Sequence, residues 1–160
     1  MGFAIGASTT NTFTSLTEGK GFNLGDVVED GDGKQWVFVK ASAAIALYDV
    51  VTYDETFTTV VAPLGTANDA RGDKIGVAAV AFASADYGWL QIYGPCTMNV
   101  LASCVANVRL NTTATAGSLD DDGTSSSMVA DSIYLTATRT SSSAGAAAGI
   151  LNFPAIGATL

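Results

Sequence analysis

The residues that could carry out chemistry in this chain are mainly carboxylates. The 160 residues include 15 Asp and Glu, two Cys and no His, so Ser-His-Asp and Cys-His arrangements cannot form. Two carboxylates flanking a sugar would suffice for glycoside hydrolysis. The candidates by residue type all lie at predicted turns, where an acid is usually hydrated or bonded to its own backbone: Glu18, Glu29, Asp30, Asp32, Asp54, Glu55 and Asp86. We therefore expect no catalytic residues and no enzymatic activity.

Metal and cofactor motifs are incomplete or missing. Residues 30–34, Asp-Gly-Asp-Gly-Lys, begin like a calcium loop, but Lys34 takes the third ligand position and no Glu closes the loop. Asp120–Asp122 could gather a hard cation weakly, and a hydrated turn is the alternative for both segments. The glycine-rich stretches contain neither a phosphate-binding Gly-Lys-Ser/Thr motif nor a dinucleotide fingerprint. We expect no bound metal and no cofactor.

The two cysteines, Cys96 and Cys104, match no metal or redox spacing. They are interpreted either as small buried hydrophobic residues or as a disulfide. We expect no secretory signal in residues 1–6, because they lack a basic region and a long apolar stretch. Synthesis in a cytosol then argues against the disulfide.

Charge and hydropathy argue against two classes of partner, nucleic acid and the membrane. The net charge is −8 and the few Lys and Arg are scattered singly, whereas nucleic-acid binding needs clustered cations. No apolar run approaches the roughly 18 residues of a membrane span. Only 14% of residues are charged, against about 25% in typical globular domains. So low a share favours a surface that packs against copies of itself or against partner proteins.

The elements that must position these residues are predicted to be β-strands. Asp30–Gly33 separates two β-rich runs and predicts a hairpin, and short period-two runs continue to Arg139, one of them ending at Gly94-Pro95. Several short strands at regular spacing predict a mainly β fold, a compact β-barrel or β-sandwich body over residues 25–140. Residues 1–24 and 141–160 are predicted to be extended N- and C-terminal arms, because they are rich in small residues and Thr.

The arms carry isolated apolar side chains that would bind a partner. These candidate partner-binding residues are Phe3, Ile5, Ile150, Leu151, Phe153 and Ile156. An extended arm can lie along a neighbouring subunit or add a strand to its sheet edge.

Four stretches give the chain a family resemblance: an Ala-rich run ending in a DVV strand (residues 41–52), KIGVAAVAFASADYGWLQIYGP (74–95), VRLNTTATAGSL (108–119) and a Gly-Ala tail. The chain resembles, over its central half to two-thirds, the capsid-decoration (cement) and related small virion structural proteins of tailed phages. The resemblance implies a β-barrel-like body on the outer surface of the major capsid protein lattice, which stabilises the head. It also implies a virion location after synthesis in the host cytoplasm. We expect self-association, with a trimer suggested by three-fold lattice sites.

Three alternatives remain open at this point. The first is a tail, neck or head-fibre component of the virion. The second is a carbohydrate-binding β-module that uses Trp36, Trp89, Tyr87 and Tyr93 as a sugar platform. The third is a hydrolase that uses paired carboxylates.

Overall fold

The computed structural model describes residues 2–3, 7–18, 21–61 and 71–160, and these contain eleven β-strands and no α-helix. The strands are β1 (Gly2–Phe3), β2 (Val27–Glu29), β3 (Gln35–Ala41), β4 (Val50–Tyr53), β5 (Thr58–Val61), β6 (Lys74–Ala78), β7 (Tyr87–Val100), β8 (Leu110–Thr112), β9 (Leu119–Asp120), β10 (Met128–Leu135) and β11 (Gly145–Thr159). The predicted mainly β class is confirmed. In this described part of the chain, no helix is long and apolar enough to cross a membrane.

The strand pairings close into two circuits that share β7. The first runs β3–β5–β4–β6–β7 and returns to β3. The second runs β7–β11–β10–β8–β9 and returns to β7. The 14-residue β7 is long enough to belong to both, its first half in one circuit and its second half in the other.

Each circuit surrounds its own apolar core. Val37, Val39 and Leu90 belong to the core of the first circuit, and Met98 and Leu151 to that of the second. The walls between them, β4 and β6, are buried on both faces, which is why their sequences read as continuous apolar runs rather than as alternation. Burial of these side chains is the main stabilising contribution to the fold.

The predicted hairpin at Asp30–Gly33 is confirmed, since β2 and β3 pair antiparallel across it. Asp30 Oδ1 accepts hydrogen bonds from the backbone N–H groups of Asp32 and Lys34, both at 3.0 Å. Its Oδ2 accepts one from Trp36 Nε1 at 2.9 Å. Burial alone would raise the pKa of Asp30, but these hydrogen bonds outweigh it and the pKa is lowered. The segment that begins like a calcium loop therefore uses its first carboxylate to hold the turn.

The prediction that Gly94-Pro95 ends a strand is wrong, because β7 continues through it to Val100. Gly94 has φ +91°, which glycine adopts without strain. The Gln91 side chain donates to the carbonyl oxygens of Tyr93 and Pro95 at 3.0 and 2.8 Å. Pro95 itself pairs with Ile150 of β11. Hydrogen bonds from the Gln91 side chain and pairing with β11 thus continue β7 at a position where the local sequence predicts the end of a strand.

The prediction of a C-terminal arm is also wrong for most of residues 141–160. Residues 145–159 form β11, which pairs with β7 along one edge and with β10 along the other. The Ala and Gly residues are small enough for this strand to lie in the middle of the sheet. Its apolar end supplies core side chains rather than a free extension.

Phe13 and Phe22 of the predicted N-terminal arm pack against β3 and β7. Phe13 and Tyr87 exchange two backbone hydrogen bonds of 2.8 and 2.7 Å. The Phe22 ring meets the Trp89 ring edge-on at 4.9 Å between centroids. This segment therefore covers an aromatic cluster of Trp36, Phe38 and Trp89.

Two turns of the first circuit, residues 41–49 and 78–86, repeat one pattern and meet each other. Both read Ala-x-x-Ala-(Ile/Phe)-Ala-x-x-Asp. Ile45 and Phe82 exchange backbone hydrogen bonds of 3.0 and 2.9 Å at the meeting point. The terminal aspartates of the pattern, Asp49 and Asp86, each accept a hydrogen bond from the backbone N–H three residues earlier. The two turns therefore share both a sequence pattern and a hydrogen-bonding pattern.

The fit of β11 between its neighbours predicts the effect of one substitution. A Cβ on Gly149 would lie 2.7 Å from the Tyr134 carbonyl oxygen and still closer to Met98 Cε. We expect Gly149→Ala to lower the free energy of unfolding by about 1–3 kcal/mol, the usual cost of overpacking. Urea denaturation measures the free energy of unfolding of this variant. Gly31→Ala is the control, because nothing lies within 4 Å of a Cβ at Gly31. Equal stability of the two variants would contradict the placement of β11.

Candidate interaction surface

An exposed apolar patch lies on the outer face of β7, β10 and β11. We define the apolar patch as Tyr93, Pro95, Tyr134, Ile150 and Phe153. Tyr93 is 37% exposed, Tyr134 45%, Ile150 43% and Phe153 51%, and Pro95 is also exposed. None of the five is charged, although the chain carries a net charge of −8. Contiguous apolar patches on a protein surface commonly mark sites of interaction.

Strand register brings the patch residues together. Tyr134 of β10 pairs with Ile150 of β11, and Ile150 pairs with Pro95 of β7, so the three form one row across the sheet. Tyr93 lies two residues from Pro95 on the same face of β7. The Phe153 ring stacks on the Tyr93 ring with centroids 5.2 Å apart. The patch is therefore held by three paired strands and is preorganised for contact.

A β-bulge in β11 turns Phe153 outward. The partners of Leu151 and Ala155 in β10 are Ile133 and Asp131, so four steps along β11 match two along β10. Phe153 lies within this irregularity and has φ +52°. Bulges of this kind redirect side chains out of the regular alternation. Here the bulge adds an aromatic ring to the exposed face.

The structure divides the predicted partner-binding residues. Ile150 and Phe153 lie in the apolar patch, as a partner-binding role requires. Leu151 and Ile156 are 1% and 3% exposed and belong to the core of the second circuit, so the expectation that they face a partner is wrong. Of Phe3 only the backbone is described, in β1 beside β2, and Ile5 lies outside the described residues. The sequence did not single out Pro95 or Tyr134 as partner-binding residues.

The tryptophans required by the carbohydrate-binding alternative are not on the surface. Trp36 is 5% exposed and Trp89 is fully buried, both in the cluster beneath the N-terminal segment. Tyr87 is half-buried and stacks over Phe38. Of the four proposed platform residues, only Tyr93 is exposed, and it belongs to the apolar patch.

A cleft of about 680 Å³ adjoins the patch at Phe153 and Pro154. The cleft is lined by the turn from Tyr53 to Phe57 and by the segment from Arg71 to Lys74, which meet where Tyr53 pairs with Lys74. Its apolar lining includes Val27, Val37, Ile75 and Ile92. Its volume falls in the range of about 300–1,000 Å³ that is usual for ligand sites.

Three carboxylates, Asp54, Glu55 and Asp73, line this cleft. Asp54 Oδ1 accepts hydrogen bonds from the hydroxyl and the backbone N–H of Thr56 at 2.6 and 2.9 Å. The hydroxyl contact is the largest cause that lowers the pKa of Asp54. Burial, followed by the charges of Asp54 and Glu55, raises the pKa of Asp73. The cleft therefore combines apolar side chains with three carboxylates and two cations, Arg71 and Lys74.

A second polar group lies beside the second circuit. Ligand atoms of Cys104, Asp120 and Asp121 lie within 4.8 Å of one another. Burial, followed by the charge of Asp121, raises the pKa of the Cys104 thiol to about 12. The thiol is thus protonated near neutral pH, and its closeness to the Asp121 carboxylate adds to the rise.

The cysteines predict the response of the protein to alkali. Both are free, and burial raises the pKa of Cys96 to about 12 as well, against a smaller opposing effect of Lys34. A thiol whose folded pKa is raised stabilises the fold fully below its unfolded pKa, which is 9.0. That contribution is lost as the pH rises from about 9 to about 12, because the unfolded chain releases its protons first. We expect the free energy of unfolding to fall over this interval in urea titrations.

The control for this experiment is Cys96→Ala/Cys104→Ala. This variant should lose less stability between pH 8 and pH 11 than the unchanged chain. A residual loss remains expected from Tyr53, since burial raises its pKa to about 12. Identical pH profiles for the two proteins would contradict the buried, protonated state of the thiols.

No protein-family model, curated protein or solved structure matches this chain. A functional assignment therefore depends on the apolar patch, the cleft and the residues that form them.

Proposed function

We propose that this chain is a structural virion protein that binds the outer surface of a phage major capsid protein lattice and stabilises the head. The observation that carries the proposal is the apolar patch, an uncharged and partly aromatic surface on three paired strands. A rigid surface of this kind loses little conformational entropy on binding. Aromatic side chains are also enriched among residues that dominate binding energy.

The apolar patch suits binding to a lattice, because a protein that contacts several lattice subunits makes several weak contacts at once. A standard interface buries on the order of 800 Å² on each partner. A protein that joins two or more capsid subunits, or that associates with itself, gains avidity without stronger single contacts. A trimer at three-fold lattice sites is the form of self-association that we propose.

The charge of the chain fits a position outside the shell. A net charge of −8 gives the packaged nucleic acid no attraction for this protein, since binding to phosphates depends on clustered Lys and Arg. The same property separates the role from proteins that organise the genome inside the head. The virion exterior is accordingly the location that we propose.

Sedimentation with phage heads tests the proposal. The purified chain is mixed with expanded heads and with unexpanded procapsids of the phage that encodes it, and bound protein is measured in the pellet. We expect saturable binding to expanded heads and little binding to procapsids, because expansion rearranges the lattice surface. Absence from both pellets, or binding to isolated tails alone, would contradict a decoration role and favour a tail, neck or fibre component.

A further inference from the structure

One side of the cleft beside the apolar patch is aromatic, and several contacts fix the position of its rings. Phe57 has φ +57°. Its backbone N–H donates to the Asp54 carbonyl oxygen at 3.0 Å, and its carbonyl oxygen accepts from the Lys40 N–H at 2.9 Å. Its ring packs on Gly25, where a Cβ would lie only 2.5 Å away. The ring also stacks on Tyr53 at 6.0 Å between centroids. The aromatic wall is therefore fixed before any ligand binds.

The rim of the cleft carries an excess of negative charge, because three carboxylates and two cations line it. The charged groups that act on this carboxyl are Asp54 and Glu55, and no described cation appears among them. Arg71 and Lys74 also line the cleft, and both are exposed to solvent, as Glu55 is. A cation placed between the carboxylates would relieve their mutual repulsion.

We propose that the cleft binds an extended basic segment of a protein partner, with a Lys or Arg side chain reaching the carboxylates. The aliphatic part of such a side chain would lie against Tyr53, Phe57 and Phe153, and its cationic group would meet Asp54, Glu55 and Asp73. Long cationic side chains commonly bury their stem on apolar surface while the charge remains at a polar rim. Aromatic faces add a cation–π contribution.

The occupant follows from charge and size. A second copy of this acidic chain would bring like charges together at the rim, which favours a different, basic partner. The cleft volume of about 680 Å³ accommodates more than one side chain, so a short segment fits better than a single residue. The proposal builds on the proposed function by assigning this basic segment to the capsid surface, beside the contact made by the apolar patch.

Titration with a model peptide tests the chemistry of the cleft directly. The probe is acetyl-tetraarginine amide, its neutral counterpart is acetyl-tetracitrulline amide, and binding is followed by backbone amide NMR shifts. We expect the arginine peptide to shift the amides of residues 53–57 and 71–75 most, and the citrulline peptide to bind at least tenfold more weakly. Shifts spread evenly over the chain, or equal binding of both peptides, would overturn the proposal.

A matched pair of charge variants separates the site from general electrostatic attraction. Glu55→Gln/Asp73→Asn removes two charges at the cleft, and Asp32→Asn/Asp122→Asn removes two exposed charges elsewhere. We expect the first variant to weaken the arginine peptide about tenfold and the second to change it less than twofold. Equal effects would overturn the proposal.

The two proposals fail in distinguishable ways. If the arginine peptide does not bind the cleft while the chain still sediments with expanded heads, the basic-segment inference is wrong and the decoration role stands. If the peptide binds the cleft but no head binding occurs, the decoration role is wrong and the chemistry of the cleft stands.

Discussion

Ile150→Asp is expected to weaken binding to expanded heads by roughly 30-fold or more, the effect of losing a contact of at least 2 kcal/mol. Ile150 lies between Tyr134 and Pro95 in the central row of the apolar patch. A carboxylate at this position would be desolvated on binding without a partner, in addition to the loss of apolar contact. Quantitative sedimentation at increasing concentrations of the variant measures the change.

Val105→Asp is the matched control for this substitution. Val105 is 42% exposed, close to the 43% of Ile150, but lies outside the patch in the turn after β7. We expect this variant to bind heads within about twofold of the unchanged chain. Equal losses for the two variants would mean that the patch has no special role in binding.

Leu151→Ala is expected to lower the free energy of unfolding by about 2–5 kcal/mol, the range for truncation of a buried leucine. Leu151 is 1% exposed and packs in the core of the second circuit. Its neighbour Ile150 points to the other side of the sheet, and we expect Ile150→Ala to change stability by less than about 1 kcal/mol. Urea denaturation of the two variants measures the difference.

The same pair of substitutions separates stability from binding. Below the unfolding transition, Leu151→Ala should bind heads normally, whereas Ile150→Ala should bind them more weakly. Deleting residues 150–160 should prevent folding, because it removes Leu151, Pro154 and Ile156 from buried positions. A truncated chain that folds with unchanged stability would contradict the pairing of β11 with β10.

The sequence predicted the elements that depend on local signals. The Asp-Gly turn at Asp30–Gly33 appears in the structure where the sequence predicts it, between the paired strands β2 and β3. Local signals failed where distant strands decide the outcome. Gly94-Pro95 reads as a stop, yet Gln91 and the pairing of Pro95 with Ile150 carry β7 through it.

The C-terminal segment and the apolar patch show the same limit of sequence reasoning. An Ala- and Gly-rich run has no periodicity of its own, and only its fit between β7 and β10 makes it a strand. Tyr134 alternates with the buried Ile133 and Leu135 along β10, but the pattern of one strand does not reveal which strands lie beside it. The patch exists because residues more than 50 positions apart in the chain meet through sheet register.

A cryo-EM reconstruction of expanded heads incubated with the purified chain tests the central claim most directly. We predict ordered density on the outer capsid surface, in which Tyr93, Tyr134, Ile150 and Phe153 face the major capsid protein. Heads without added density, or bound copies whose apolar patch faces solvent, would contradict the account.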